Sequence, residues 1–80
     1  MTSSPPSDAA ILASNDLCYE YLVETLDLAA SYARSGSEAA FRGDRNTVRV
    51  HLEQLRLTTI AALKTYNEIT PVAVEKAAAA

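Results

Sequence analysis

Cys18 and His51 are the only thiol and the only imidazole in this 80-residue chain. A cysteine beside a histidine can supply a thiolate nucleophile and its base, provided the two side chains touch. Here Cys18 falls near the start of one helical segment and His51 near the start of the next. An antiparallel fold-back would hold them several turns apart. The spacing therefore predicts Cys18 as a small apolar residue and His51 as a satisfied residue at the edge of a helix seam. One cysteine cannot form an internal disulfide, and one cysteine with one histidine falls short of a structural zinc set. Asp16, Glu20, Glu24 and Asp27 are spaced 4, 4 and 3, so they line one helix face. Acid–base catalysis wants carboxylates in a cleft that perturbs them, not on a convex surface. There is no glycine-rich phosphate loop, no CxxC and no HExxH. The sequence predicts no catalytic residue, no cofactor and no metal site.

Charge is unevenly laid out. The net charge is −3, yet Asp8, Asp16, Glu20, Glu24 and Asp27 all precede the first basic residue, Arg34. Arg34, Arg42, Arg45, Arg49 and Arg56 then crowd the middle, offset by Glu38, Asp44 and Glu53. The chain is an electrical dipole along its length. Like charges four apart on a helix repel by a few tenths of a kcal/mol. The acidic stripe reads either as a solvated face helped by the helix dipole or as a patch that steers a basic partner. Arg49 and Glu53 form an i,i+4 pair, and Asp27 is a candidate partner for Arg56. The acidic balance and the lack of a basic recognition helix argue against nucleic-acid binding. No apolar run reaches membrane-spanning length. The lone thiol and the absence of a signal-peptide pattern predict a cytoplasmic protein.

The elements that carry these residues follow from apolar spacing. Tyr19, Leu22, Leu26, Ala29, Ala33, Gly36 and Ala40 recur with 3-4 spacing. Val48, Leu52, Leu55, Thr59, Ala62, Tyr66 and Ile69 recur with 4-3 spacing. Each set predicts one face of an amphipathic helix. Gly43-Asp44 separates them, with Gly43 suited to a left-handed C′ position and Asp44 to an N-cap. The fold class is all-α, an antiparallel helical hairpin, or three helices if Gly36 breaks the first. Continuity to about Arg42 is favoured, because the stripe keeps its phase through Gly36. Ser7 or Ser14 caps the first helix, with continuous helix expected from about Ser14 or from Asp8. The second helix runs from about Arg45 to Ile69 or Thr70, before Pro71. Residues 1–7 read as a disordered arm, 8–70 as the hairpin domain, and 71–80 as a flexible tail or short terminal helix.

Both helices carry more apolar residues than one seam can hide. On the first, Leu17, Tyr21, Leu28 and Tyr32 fall off the expected seam; on the second, Val50, Leu57 and Ile60 do so, flanked by Leu63. A contiguous stripe of this kind marks an interface. It could be covered by a second copy in a four-helix bundle, by a foreign protein, or by the tails. The residues expected to bind a partner are Leu17, Tyr21, Glu24, Leu28, Tyr32, Leu57 and Ile60. Asp16, Glu20 and Asp27 would steer it.

The segments NDLCYEYLVETLDLAASYA (15–33) and VRVHLEQLRLTTIAALKTYNEI (48–69) span about half the chain. In size, helix content and composition the chain resembles the small helical antiactivators that restrain quorum-sensing regulators in rhizobia and their relatives. The resemblance implies a short cytoplasmic helical protein that sequesters a LuxR-type transcriptional activator. It carries no family residue across by position. A structural homodimer or assembly subunit, using the same faces to bind itself, is the rival expectation.

Overall fold

The computed structural model describes residues 7–72. They form two helices packed as an antiparallel hairpin, α1 (Asp8–Phe41) and α2 (Arg45–Glu68). Residues 1–6 of the expected arm at 1–7 and residues 73–80 of the tail lie outside the described residues; Ser7 is the N-cap of α1 and not part of a free arm. α1 starts at the earlier of the two expected caps. The Ser7 hydroxyl accepts from the Ala10 N–H at 3.2 Å, and the Ser7 carbonyl accepts from the Ile11 N–H. Ser14-Asn15-Asp16 does not interrupt it. Such residues break helices by bonding to their own backbone, but the Asn15 amide is engaged elsewhere, as described below.

The turn between the helices closes by a Schellman motif. The Gly43 N–H donates to Ala40 O at 3.0 Å, and the Asp44 N–H donates to Ala39 O at 2.9 Å. This needs a left-handed residue, and Gly43 supplies it with φ 71°. Asp44 then caps α2, its carboxylate accepting from the Thr47 N–H at 3.2 Å and the Thr47 hydroxyl at 2.6 Å. The hydroxyl bond, then the N–H bond, holds the Asp44 carboxyl below its ordinary value. α1 runs unbroken through Gly36, so the two-helix form of the fold is the observed one. A Cβ on Gly36 would stand 3.5 Å from the His51 Cβ, an ordinary contact, so the approach of α2 there does not require a glycine.

The seam is rotated from the expected one. In α1 the buried and half-buried positions are Ile11, Asn15, Cys18, Leu22, Thr25, Ala29, Tyr32, Gly36 and Ala39, spaced 4-3 throughout, with Ser35 beside Gly36. In α2 they centre on Val48, His51, Leu55, Thr58, Ala62 and Thr65, followed by Ile69 at the C-cap. This is coiled-coil spacing. Leu22, Ala29, Gly36, Val48, Leu55, Ala62 and Ile69 were expected inside and are. Tyr19, Leu26, Ala33, Ala40, Leu52, Thr59 and Tyr66 were expected inside and are exposed; Leu26 is 55% and Tyr66 62% accessible. The reason is geometric. Two helices alone touch along a line, and the positions buried deepest on it, Asn15, Thr25, Ala29, Ala39 and Ala62, are small or medium-sized, which lets the backbones approach. Leu22, Tyr32, His51 and Leu55 lie along the same seam half-buried.

Polar seam residues satisfy themselves locally or by long-range bonds. Buried Thr25 and half-buried Thr58 donate to the carbonyls four residues back, Tyr21 O and Gln54 O, each at 2.7 Å. Tyr32 stacks on His51 with ring centroids 6.4 Å apart, and the His51 Nδ1 is 3.0 Å from Gln54 Oε1. Asn15, only 2% exposed, bonds both backbone groups of Thr70: its Nδ2 donates to Thr70 O at 2.7 Å, and its Oδ1 accepts from Thr70 N–H at 3.0 Å. This clamps the chain leaving α2 onto the start of α1 and leaves Val72 buried.

Candidate functional site

Helices packed along a narrow seam leave two broad faces. Residues that flank the seam at a seven-residue spacing stay on one face as the helices coil, because the seam keeps the same spacing. On one face, α1 contributes Leu12, Tyr19, Leu26, Ala33 and Ala40, and α2 contributes Leu52, Thr59 and Tyr66. A groove lined by Ala33, Gly36, Ala40, Val48, Leu52 and Leu55 joins the two helices on that side. On the opposite face, Tyr21, Glu24, Leu28, Leu57 and Ala61 line a groove floored by Thr25 and Thr58. A second groove continues it through Ser14, Leu17, Cys18, Lys64 and Glu68, with Tyr21 forming a wall of both.

The amount of apolar surface left open is large. Among the described residues, the buried apolar ones are Ala29, Ala39, Ala62 and Val72, and no large side chain is fully buried. Fourteen of the described large hydrophobic residues are exposed, Phe41 at the hairpin tip by 95%. A domain this small is marginal even with a filled core. Three alanines and a valine do not fill one.

Five of the seven residues expected to bind a partner fall together. Tyr21, Glu24, Leu28 and Leu57 share one groove, and Leu17 joins them through Tyr21. Tyr32 does not belong. It is half-buried in the seam against His51, because the coiled seam keeps a seven-residue repeat that carries position 32 inward with Thr25 and Ala39. Ile60 is exposed but lines neither groove; its position places it on the outer edge of α2. Glu24 stands at the rim of the Tyr21–Leu28 groove. Asp16, Glu20 and Asp27 are exposed, with Glu20 and Asp27 along the outer edge of α1. Ala61 and Lys64 were missed. Leu57, Ala61, Lys64 and Glu68 recur with 4-3-4 spacing, a stripe visible in the sequence but masked by its small and charged members.

The arginines take different partners from those expected. Arg56 binds Glu53 on its own helix, its Nε donating at 3.1 Å, rather than Asp27. That bond, with the attraction of the guanidinium, lowers the Glu53 carboxyl and raises Arg56; Arg49 adds a smaller pull on Glu53. Arg45, Arg49 and Arg56 edge the first face, beside Val48 and Leu52. Cys18 is half-buried in the groove with Ser14 and Leu17, while His51 lies toward the hairpin tip against Gly36. The two therefore do not meet. Among the described residues no cluster of metal-ligating side chains occurs, and no helix is long and apolar enough to cross a membrane. No family model, curated protein or solved structure matches the chain.

Proposed function

We propose that this chain is a non-catalytic cytoplasmic regulator that binds a partner protein through the Leu17–Tyr21–Leu28–Leu57 face and inhibits it. The observation that carries the reading is the joining of aromatic and aliphatic anchors from both helices into one open groove with Glu24 at its rim. An aromatic anchor ringed by polar groups is the usual composition of a binding hot spot. The exposed carboxylates of Glu20, Glu24 and Asp27 would speed encounter with a basic surface and set orientation. The partner that fits is a bacterial transcriptional activator of the LuxR type, whose DNA-binding surface is necessarily basic. The resemblance of segments 15–33 and 48–69 to quorum-sensing antiactivators supports the same choice.

The test co-expresses the chain with each LuxR-type activator of its own genome and a reporter for that activator. One activator should be silenced. Leu28→Asp and Glu24→Lys should each restore the reporter while far-UV circular dichroism stays helical. Silencing of none, or equal silencing by both variants, would remove the support for this face.

A further inference from the structure

We infer that the opposite face, carrying Leu12, Leu26, Leu52 and Tyr66, is covered by a second copy of this chain, lying antiparallel with the hairpin tips at opposite ends. The argument rests on a symmetry in the exposed stripe. On α1 the residues run Leu12, Tyr19, Leu26, Ala33, Ala40, bulky toward the open end of the hairpin and small toward the tip. On α2 they run Leu52, Thr59, Tyr66. A two-fold axis through Leu26 sets Leu12 opposite Ala40 and Tyr19 opposite Ala33 of the second copy. The same axis must pass α2 at the residue level with Leu26. The Leu28–Leu57 groove and the Asn15–Thr70 bonds fix that level near Thr59. Thr59 then meets its own copy, and Leu52 meets Tyr66. One axis thus satisfies both helices, and the large residues of each copy enter the groove of Ala33, Gly36 and Ala40 on the other.

Charge selects this orientation over the alternative with both tips together. The open half of the hairpin carries Asp8, Asp16, Glu20, Glu24 and Glu68 against Lys64 alone, among the described residues. The tip half carries Arg34, Arg42, Arg45, Arg49 and Arg56, with Asp27, Glu38, Asp44 and Glu53. Tips at opposite ends place the strongly acidic open half over the nearly balanced tip half, with Arg45 and Arg49 at the edge of this face; tips together place the two acidic open halves over each other. The face is also the right size. The 24 residues of α2 make a stretch of about 36 Å, and two helices side by side are about 20 Å wide. That is roughly 700 Å² per copy, close to the ~800 Å² that each partner of a standard interface buries. The isologous contact closes on itself and forms no fibre. It leaves the Tyr21–Leu28 groove pointing outward on both sides of the dimer, so this inference does not depend on what fills that groove.

The experiment uses the full chain in a Cys18→Ser background, with single cysteines introduced by Leu26→Cys, Thr59→Cys or Leu28→Cys, in a glutathione redox buffer. Sedimentation at tens of micromolar should give a dimer. Leu26→Cys and Thr59→Cys should each cross-link to themselves, because both sit on the axis, and Leu28→Cys should stay uncross-linked. A monomer throughout would overturn the proposal. So would cross-linking by Leu28→Cys instead. Cross-linking only in a mixture of the Leu26→Cys and Thr59→Cys chains would also overturn it, since that pairing belongs to tips together. Sedimentation of the uncross-linked parent keeps the test open where a variant fails to fold.

Discussion

The two glycines should respond to alanine with opposite signs. Gly36 is inside α1, where glycine costs about 1 kcal/mol relative to alanine. The added methyl would stand 3.5 Å from the His51 Cβ, an ordinary contact. Within the hairpin nothing opposes the gain, so Gly36→Ala should stabilise by about 0.5–1 kcal/mol. Gly43 has open space around it but a φ of 71°. An L-residue there costs about 1–2 kcal/mol, and Gly43→Ala should destabilise by that amount. Urea unfolding followed by circular dichroism reads both. With a slope near 1 kcal/mol/M, usual for small proteins, the midpoint should rise by about 0.5–1 M for the first and fall by about 1–2 M for the second. All samples must be at one concentration, because association adds to apparent stability. Gly36→Leu supplies the control: atoms beyond Cβ would press on His51 and cost about 1–3 kcal/mol. A midpoint lowered by Gly36→Ala would refute the reading that helix and seam both accept a methyl there.

Asn15→Ala removes both bonds to Thr70 and should cost about 1–3 kcal/mol, with hydrogen exchange of the Thr70 amide accelerated more than that of mid-helix amides. Acid should weaken the fold through Asp44 and Glu53. Both folded values are depressed, so their contribution is present above the unfolded carboxylate range and is lost as pH falls through the folded values. Melting temperature should be flat near neutrality and drop at low pH, and Asp44→Asn should shrink that drop; an unchanged acid slope would count against the cap. Leu26→Asp should abolish the concentration dependence of the melting temperature, whereas Leu28→Asp should leave it intact. Ala29→Asp, in the buried seam, should unfold the chain at any concentration, and a normal melt would place the seam elsewhere.

The five groove residues were readable because a helix repeats its neighbours at three, four and seven. Tyr21, Glu24 and Leu28 had to share a side of α1 whatever α2 did. Leu57 followed from lying off the apolar stripe of its helix. Tyr32 was misplaced because the expected and observed seams share one seven-residue repeat and differ only in rotation: the seam takes Cys18, Thr25, Tyr32 and Ala39 in place of Tyr19, Leu26, Ala33 and Ala40.

By itself the sequence determined the local structure. The two helices, the Gly43-Asp44 turn, the Asp44 cap and the stop before Pro71 all depend on residues a few positions apart, whereas the start of α1, at Ser7 and not Ser14, and its continuity through Gly36 were each one of two readings. What it left open was the rotation of each helix about its axis. The stripes Tyr19–Leu22–Leu26–Ala29 and Cys18–Leu22–Thr25–Ala29 differ by one position, and hydrophobicity favours the first. Only the packing of the two helices against each other chose the second: in the open half it puts Cys18 and Thr25 at the contact instead of Tyr19 and Leu26, which lets the backbones close, and toward the tip it brings Tyr32 in against His51. The Asn15–Thr70 clamp joins residues 55 apart and has no local signature. That rotation decided which apolar residues are left over for a partner.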